Sequence, residues 1–350
     1  MSRRMRLALL TSLADHYELA TLSGHTDDIT ELDVSRANGR VATACADGSV
    51  RVWDAERART LAVLTGHTGR VWCVRFDPSG ERVVTAGEDH TARIWRWKEP
   101  AAAPLVLAGH DGEVEYAEFG ADGEHVVTAA RDHTARIWRA SDGALEHVLA
   151  GHTGNVSLAR FCPHGRLVVT ASGEPPASAP FAESDHTLRI FDAASGAALA
   201  VCAEHTGPIR ALAEAPDGRS FVSVSEDATA RLWSLELDAS TSGVAELHAR
   251  HVFRFPGYGF AASFSPDGQR LALAYDAGAR VVDAASGATL YELPDHAHRA
   301  VIDIAFDPRG ETLATAAFDN TVRIFDATSP VQLALCRGTP TRPRGVVWGP

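Results

Sequence analysis

Short runs of alternating apolar and polar residues follow one another along this chain, separated by clusters of glycine, aspartate and proline. Alternation over a few residues suits a strand with one buried face, and such clusters suit hairpin turns. The runs come in sets. An apolar alternation leads into a turn such as Asp77-Pro78-Ser79-Gly80 or Ala121-Asp122-Gly123, and a β-branched run follows, as in Arg82-Val83-Val84-Thr85. A tight turn then carries an aspartate, and a further strand ends in an aromatic and a polar residue. Each set predicts four short strands.

The sets repeat. A Gly-His pair opens them at Gly24-His25, Gly66-His67, Gly109-His110 and Gly151-His152, spaced 42, 43 and 42 residues apart. Glu204-His205 and Asp295-His296 are variants with an acidic first residue. The sets close at Trp53-Asp54, Trp95-Arg96, Trp138-Arg139, Phe191-Asp192, Trp233-Ser234, Val282-Asp283 and Phe325-Asp326. Four strands per unit of about 40 residues, with Gly-His and Trp-Asp signatures, describe a propeller blade. On these residues the chain resembles the WD-repeat family over about 17–336. The resemblance implies an all-β, seven-bladed β-propeller of four-stranded antiparallel blades. The sixth unit is degenerate: its turn Ser265-Pro266-Asp267-Gly268 is intact, but Phe255 stands where His is expected and Leu273 where Ser or Thr is. It is kept as a blade because otherwise one repeat is missing between His205 and His296.

The predicted organisation is an N-terminal extension over 1–16, read as a helical linker, a propeller over 17–336, and a tail over 337–350 or the start of a further repeat. Closure of the propeller poses a conflict. Residues 17–22 suit an outer strand of the last blade, yet 331–336 suit one too, and Arg344-Gly345-Val346-Val347-Trp348 resembles the opening of another repeat. Either one outer strand is displaced, or the chain is a piece of a longer array.

Composition narrows the function. Apolar residues at 45% and charged residues at 22% fit a folded soluble domain. A formal net charge of −12 argues against coating nucleic acid, which needs a basic face. No run approaches the ~20 apolar residues of a membrane helix. Arg3, Arg4 and Arg6 before the apolar 7–10 loosely imitate a signal peptide, but Thr11 and Ser12 break the run. Cys45, Cys73, Cys162, Cys202 and Cys336 are odd in number and hold no CxxC pair, so they read as thiols of a reducing compartment, the cytoplasm, rather than disulfides or zinc ligands.

Aligning the sets brings four polar residues together: His25, Thr43, Asp47 and Trp53; His67, Thr85, Asp89 and Trp95; His110, Thr128, Asp132 and Trp138; His205, Ser223, Asp227 and Trp233. By the family resemblance each quartet forms a hydrogen-bonded chain from Trp through Ser/Thr and His to Asp, with the aspartate orienting the imidazole and raising its pKa. Phe191 and Phe325 lack an indole N–H and shorten the fourth and seventh chains. The same residue types make a hydrolase, but a nucleophile is presented once, in a cleft, with an oxyanion site beside it. A set that recurs and is sequestered predicts no catalytic residue and no enzyme. One histidine per blade, away from ligand spacing, predicts no metal, and no cofactor is expected.

The resemblance places a partner on the top face, where inner strands begin. The positions lie three and five residues after the signature His and one before the turn Asp. They include Arg70, Trp72 and Glu88; Glu113, Glu115 and Arg131; Arg210 and Glu226; Tyr258, Phe260 and Tyr275; and Ile302 and Phe318. The late aromatics read as interface anchors, which bury much area at low entropy cost; the alternative is that they pack together in place of the missing sixth network. Arg70, Trp72 and Arg131 beside Glu113 and Glu115 suit a peptide of mixed charge. A Pro-rich insertion over 173–184 is expected on the same face, and a second over 238–243 on the other. The function predicted is a non-catalytic scaffold that binds a protein or peptide, with no nucleic acid or membrane partner. Two alternatives stand beside it: a sensor propeller acting with other domains of a longer signalling polypeptide, and a propeller that holds a small ligand or substrate in its central channel.

Overall fold

The computed structural model describes residues 22–162, 165–174, 185–237, 244–293, 296, 299–337 and 345–348. Among them the strands pair into seven antiparallel sheets of four, each in chain order. The chain is a seven-bladed β-propeller. In the first blade β1 (Ile29–Val34), β2 (Val41–Cys45), β3 (Ser49–Asp54) and β4 (Arg59–Thr65) run from the inner to the outer position. The described residues divide into two compact units, 22–198, with blades one to three and the first three strands of blade four, and 199–348, with blades five to seven.

The second strand of each blade departs from simple alternation. Every residue of β2 is buried, as is every residue of its equivalents Val83–Gly87, Ser220–Ser225 and Thr312–Ala317. These strands are covered on both faces, which selects Ala, Val, Ser and Thr at consecutive positions. The core lies between blades rather than within them. In the first unit Ala42, Val50 and Val52 meet Val74, Phe76 and Trp95, and a larger cluster runs from Cys73 through Val127 and Trp138 to Phe191. In the second unit Val222 and Leu232 pack on Leu271 and Leu273, and Ala272 and Val281 on Ile304, Leu313 and Phe325. A blade therefore needs its neighbour to hide its apolar faces.

Residues 332–337 form the outer strand of the seventh blade, pairing Ile324 with Ala334 and Val322 with Cys336. Residues 1–21, and with them most of the rival strand over 17–22, lie outside the described residues; Leu22 packs on Val34, Val41 and Trp53 of the first blade. Most of the Pro-rich insertion (175–184) and the whole of 238–243 also lie outside them.

Two histidines on outer strands clasp the next blade. His147 Nε2 donates to the Ala194 carbonyl at 2.9 Å, and His251 Nε2 to the Ala285 carbonyl at 3.0 Å. Both carbonyls belong to the turn sequence Asp-Ala-Ala-Ser-Gly-Ala, at 192–197 and 283–288. Its glycine has a left-handed backbone at both places, and a Cβ on Gly196 would come within 2.9 Å of the His147 side chain. His147→Ala is expected to cost about 1 kcal/mol, one net hydrogen bond, read as a shift in the urea midpoint.

Candidate partner-binding site

Each blade is locked from inside before it offers anything outward. In the second blade the Trp95 indole donates to Thr85 Oγ1 at 2.9 Å; Thr85 Oγ1 and His67 Nε2 are 2.7 Å apart, and His67 Nδ1 reaches Asp89 at 2.9 Å. The carboxylate only accepts and the indole only donates. The proton on Nδ1 therefore points at Asp89, and the threonine hydroxyl donates to Nε2. The third and fifth blades repeat the chain through His110, Thr128, Asp132 and Trp138, and through His205, Ser223, Asp227 and Trp233. The fourth and seventh hold only His152, Thr170 and Asp185, and His296, Thr315 and Asp319, as the phenylalanines predict. Their hydroxyls and those of blades one, two, three and five are buried, so none is presented to a substrate.

The first blade differs. His25 Nδ1 lies 3.6 Å from Asp47 and 3.1 Å from Ser49 Oγ, while Nε2 keeps Thr43 at 2.7 Å. Burial pushes this imidazole down to about 4, with a contribution from Arg51 in the same direction, and the more distant Asp47 does not make up the loss. Asp47 does act to raise the histidine pKa, as expected, but removal of the imidazole from water outweighs the carboxylate and the net shift in blade one is downward. His25, Cys45 and Asp47 bring donor atoms within 4.8 Å of one another. Cys45 has other work there. Its thiol donates to the Asp27 carbonyl and accepts from the Asp47 N–H, as Ser225 Oγ does with Gly207 and Asp227.

The sequence reading missed a repeated arginine on each third strand, two residues before the closing aromatic: Arg51, Arg93, Arg136, Arg189, Arg231 and Arg323, with Arg280 in the sixth blade. Arg93 and Arg323 bond the network aspartates at 3.1 and 3.2 Å, and Arg51 bonds the Gly24 carbonyl at 3.0 Å. The guanidinium lies where a Cβ on the signature glycine would sit, 2.7 Å away at Gly109 and 2.6 Å at Gly151. The glycine of each Gly-His pair leaves room for this arginine. Where Glu204 replaces it, the carboxylate binds Arg231 instead.

The outward positions are set by a bulge. The inner strand of every blade skips one residue in its pairing with the second strand: Thr30, Trp72, Glu115, Ser157, Arg210, Phe260 and Ile302. These are the positions five residues after the signature His or, in the blades with an altered start, their equivalents. A bulge re-aims the unpaired side chain out of the blade. Beside it a backbone hydrogen bond ties the other two predicted positions, as from Glu88 N–H to the Arg70 carbonyl, Arg131 to Glu113, Glu226 to Pro208 and Phe318 to Ala300.

In the first unit these side chains converge. Trp72 lies between two guanidiniums, Arg70 at 4.8 Å and Arg131 at 5.6 Å from its ring centroid, and its indole N–H donates to Glu113. Arg131 also pairs with Glu115 at 2.5 Å and Glu113 at 3.2 Å, and Glu88 accepts the Arg70 backbone N–H. In the second unit Arg210 pairs with Glu226 at 2.6 Å, and Phe260 meets Phe318 edge-on at 6.4 Å. Tyr258 is 52% exposed.

Tyr275 is a correction. It is only 7% exposed, stacks on Phe255 at 4.9 Å and donates its hydroxyl to Glu292. In the sixth blade the residue tied to the Tyr258 carbonyl is Asp276, so the predicted alignment was one residue out. A slip of one along a strand turns a side chain to the opposite face. Tyr275 and Phe255, with Arg280 over both rings at 5.9 and 5.2 Å, stand in for the missing network.

The family description "WD domain, G-beta repeat" matches residues 17–54, 58–96, 104–139, 143–192, 196–234 and 287–326. The chain belongs to the WD-repeat family. The unmatched interval holds the degenerate sixth blade. Among curated proteins, this WD-repeat chain is 28% identical over 166 residues to nuclear distribution protein PAC1 of Arthroderma benhamiae, covering 41% of this chain and 34% of that protein. PAC1-2 of Uncinocarpus reesii is 32% identical over 165 residues, with the same coverage. Human WD repeat-containing protein 86 is 44% identical over 57 residues, 16% of this chain and 15% of that one. The matches span about a third or less of these relatives. WD-repeat propellers are generally non-catalytic and bind proteins or peptides.

Proposed function

We propose that this WD-repeat chain is a non-catalytic scaffold that takes a peptide or partner domain on the side chains its inner-strand bulges turn outward. The bulge carries the reading: it recurs at one position in all seven blades, and the residues it releases play no part in the buried networks. Two patches are assigned, each within its own unit. The first is Trp72 with Arg70, Arg131, Glu88, Glu113 and Glu115, a flat aromatic surface rimmed by both charges. The second is Tyr258, Phe260 and Phe318, with Arg210 and Glu226 further along. Glu113 and Glu115 are both held by Arg131, which favours recognition over acid–base chemistry at these carboxylates.

The compartment we propose is the cytoplasm, on the ground that Cys45, Cys73, Cys162 and Cys202 are buried free thiols. Among the described residues no helix is long and apolar enough to cross a membrane. The net charge supports a protein rather than a nucleic-acid partner.

Peptide display against the purified chain supplies the test. Trp72→Ala, Arg131→Glu or Phe260→Ala should weaken a selected peptide at least tenfold, about 1.4 kcal/mol, with the melting temperature little changed. Equal affinity for all three variants and the unaltered chain rules out the proposed surface.

A further inference from the structure

The two outward patches stand at equivalent places in the repeat. Trp72, the bulge residue of blade two, corresponds to Phe260 in blade six. In the blade that follows, Arg131 donates its backbone N–H to the Glu113 carbonyl, and Phe318 donates likewise to the Ala300 carbonyl. Arg131 therefore corresponds to Phe318. Arg70 corresponds to Tyr258, and Glu88 to Asp276. Glu88 and Asp276 each donate a backbone N–H to the carbonyl of that partner. Each also accepts the partner's N–H on its carboxylate, at 2.9 Å for Glu88 and 3.1 Å for Asp276.

What fills these places differs. In the first patch the chain supplies its own cations: the guanidiniums of Arg70 and Arg131 stand 4.8 and 5.6 Å from the Trp72 ring centroid. In the second patch both arginines are replaced by rings. Phe318 stands 6.4 Å from Phe260 with the ring planes at 61°, and Tyr258 takes the place of Arg70. Among the described residues no guanidinium or ammonium lies over Phe260 or Tyr258. Asp276 pairs with no cation among them either. The buried ring pair of the same blade shows the contrast, since Phe255 and Tyr275 carry Arg280 over both rings. The face of an aromatic ring is electronegative, and a carboxylate beside it adds to the pull on a cation.

We infer that Phe260, Phe318, Tyr258 and Asp276 receive the guanidinium of an arginine carried by the partner, at the place Arg131 fills over Trp72 in the first patch. The inference rests on the reading that bulge residues face the partner. A guanidinium fits better than an ammonium because its plane stacks on a ring while its N–H groups still reach a carboxylate sideways. The formal net charge of −12 favours a basic segment in the same direction.

The test uses the full chain and displayed peptides, selected on the unaltered protein and depleted on the Phe260→Ala chain. The peptides that remain should carry an arginine. Citrulline in its place keeps the shape and removes the charge, and should weaken binding about tenfold or more. Lysine should also bind more weakly than arginine. Asp276→Asn keeps an acceptor for the Tyr258 N–H, and should weaken the arginine peptide several-fold while leaving the citrulline peptide unchanged. Phe260→Leu keeps an apolar side chain without the ring, and should erase the preference for arginine over citrulline. Peptides that need Phe260 but bind equally with citrulline, or equally with lysine, overturn this inference and leave the outward surface standing. If no peptide needs Phe260, the surface itself fails at this patch and the inference fails with it.

Discussion

Thr85→Val is expected to lower the unfolding free energy by about 2–5 kcal/mol, because valine keeps the shape of the side chain and removes both bonds of a buried junction. Thr85 is 0% exposed and sits between the Trp95 indole and the His67 imidazole. Each partner left unsatisfied costs roughly 1–3 kcal/mol. Thr315→Val supplies the internal comparison. Its hydroxyl is as deeply buried but serves His296 alone, since Phe325 has no N–H to give. About half the loss is expected there. Urea denaturation of the two variants measures both. Equal losses would mean that the indole bond contributes nothing, and a loss below about 0.5 kcal/mol for Thr85→Val would mean the chain of bonds is not what holds the blade. The sixth blade shows the alternative solution, with Leu273 at the hydroxyl position and an aromatic stack in place of the network.

Acidification should weaken the first blade before any other. His25 is held neutral in the fold down to about pH 4, whereas an unfolded histidine takes up a proton near 6.5. The folded value is the lower one, so the stability is fully present above 6.5 and is lost as the pH falls towards 4. The loss amounts to roughly 3 kcal/mol. A second window opens lower. Burial alone would raise Asp89, Asp132, Asp185 and Asp227. Hydrogen bonds from the paired histidine and from a threonine outweigh it and hold all four well below the usual carboxylate range. Their contribution is present above an unfolded aspartate's value of about 4 and disappears as the pH drops further. Hydrogen exchange between pH 7 and pH 4 should show β1–β4 opening more easily while blades two, three and five keep most of their protection. A uniform loss across the blades in that interval would contradict the assignment to His25.

The sequence was legible wherever a local rule repeats. Glycine and aspartate in the turns, the aromatic that closes each set and the histidine that opens it all recur at near-constant spacing, and they suffice for the number of strands and blades. Even the shortened networks of blades four and seven follow from single residues, Phe191 and Phe325. The second strands were less legible. Their run of small apolar residues reads like a buried strand of any origin, and it takes the neighbouring blades to explain why both faces are covered. The arginine on each third strand was in plain view, two residues before each closing aromatic, but its purpose depends on meeting a glycine from a distant part of the blade.

What the amino-acid order settled alone was the fold and the inner wiring of the blades, because hairpins join neighbours in the chain and each network closes within about 33 residues. The tertiary structure decided the rest. It turned Tyr275 inward by a one-residue difference in register, drove His25 towards neutrality by burial, and wrapped Trp72 in two guanidiniums from different blades. Each of these depends on what lies across a gap between strands or blades. Desolvation and packing direction are properties of surroundings, and a linear pattern carries them only where the surroundings repeat.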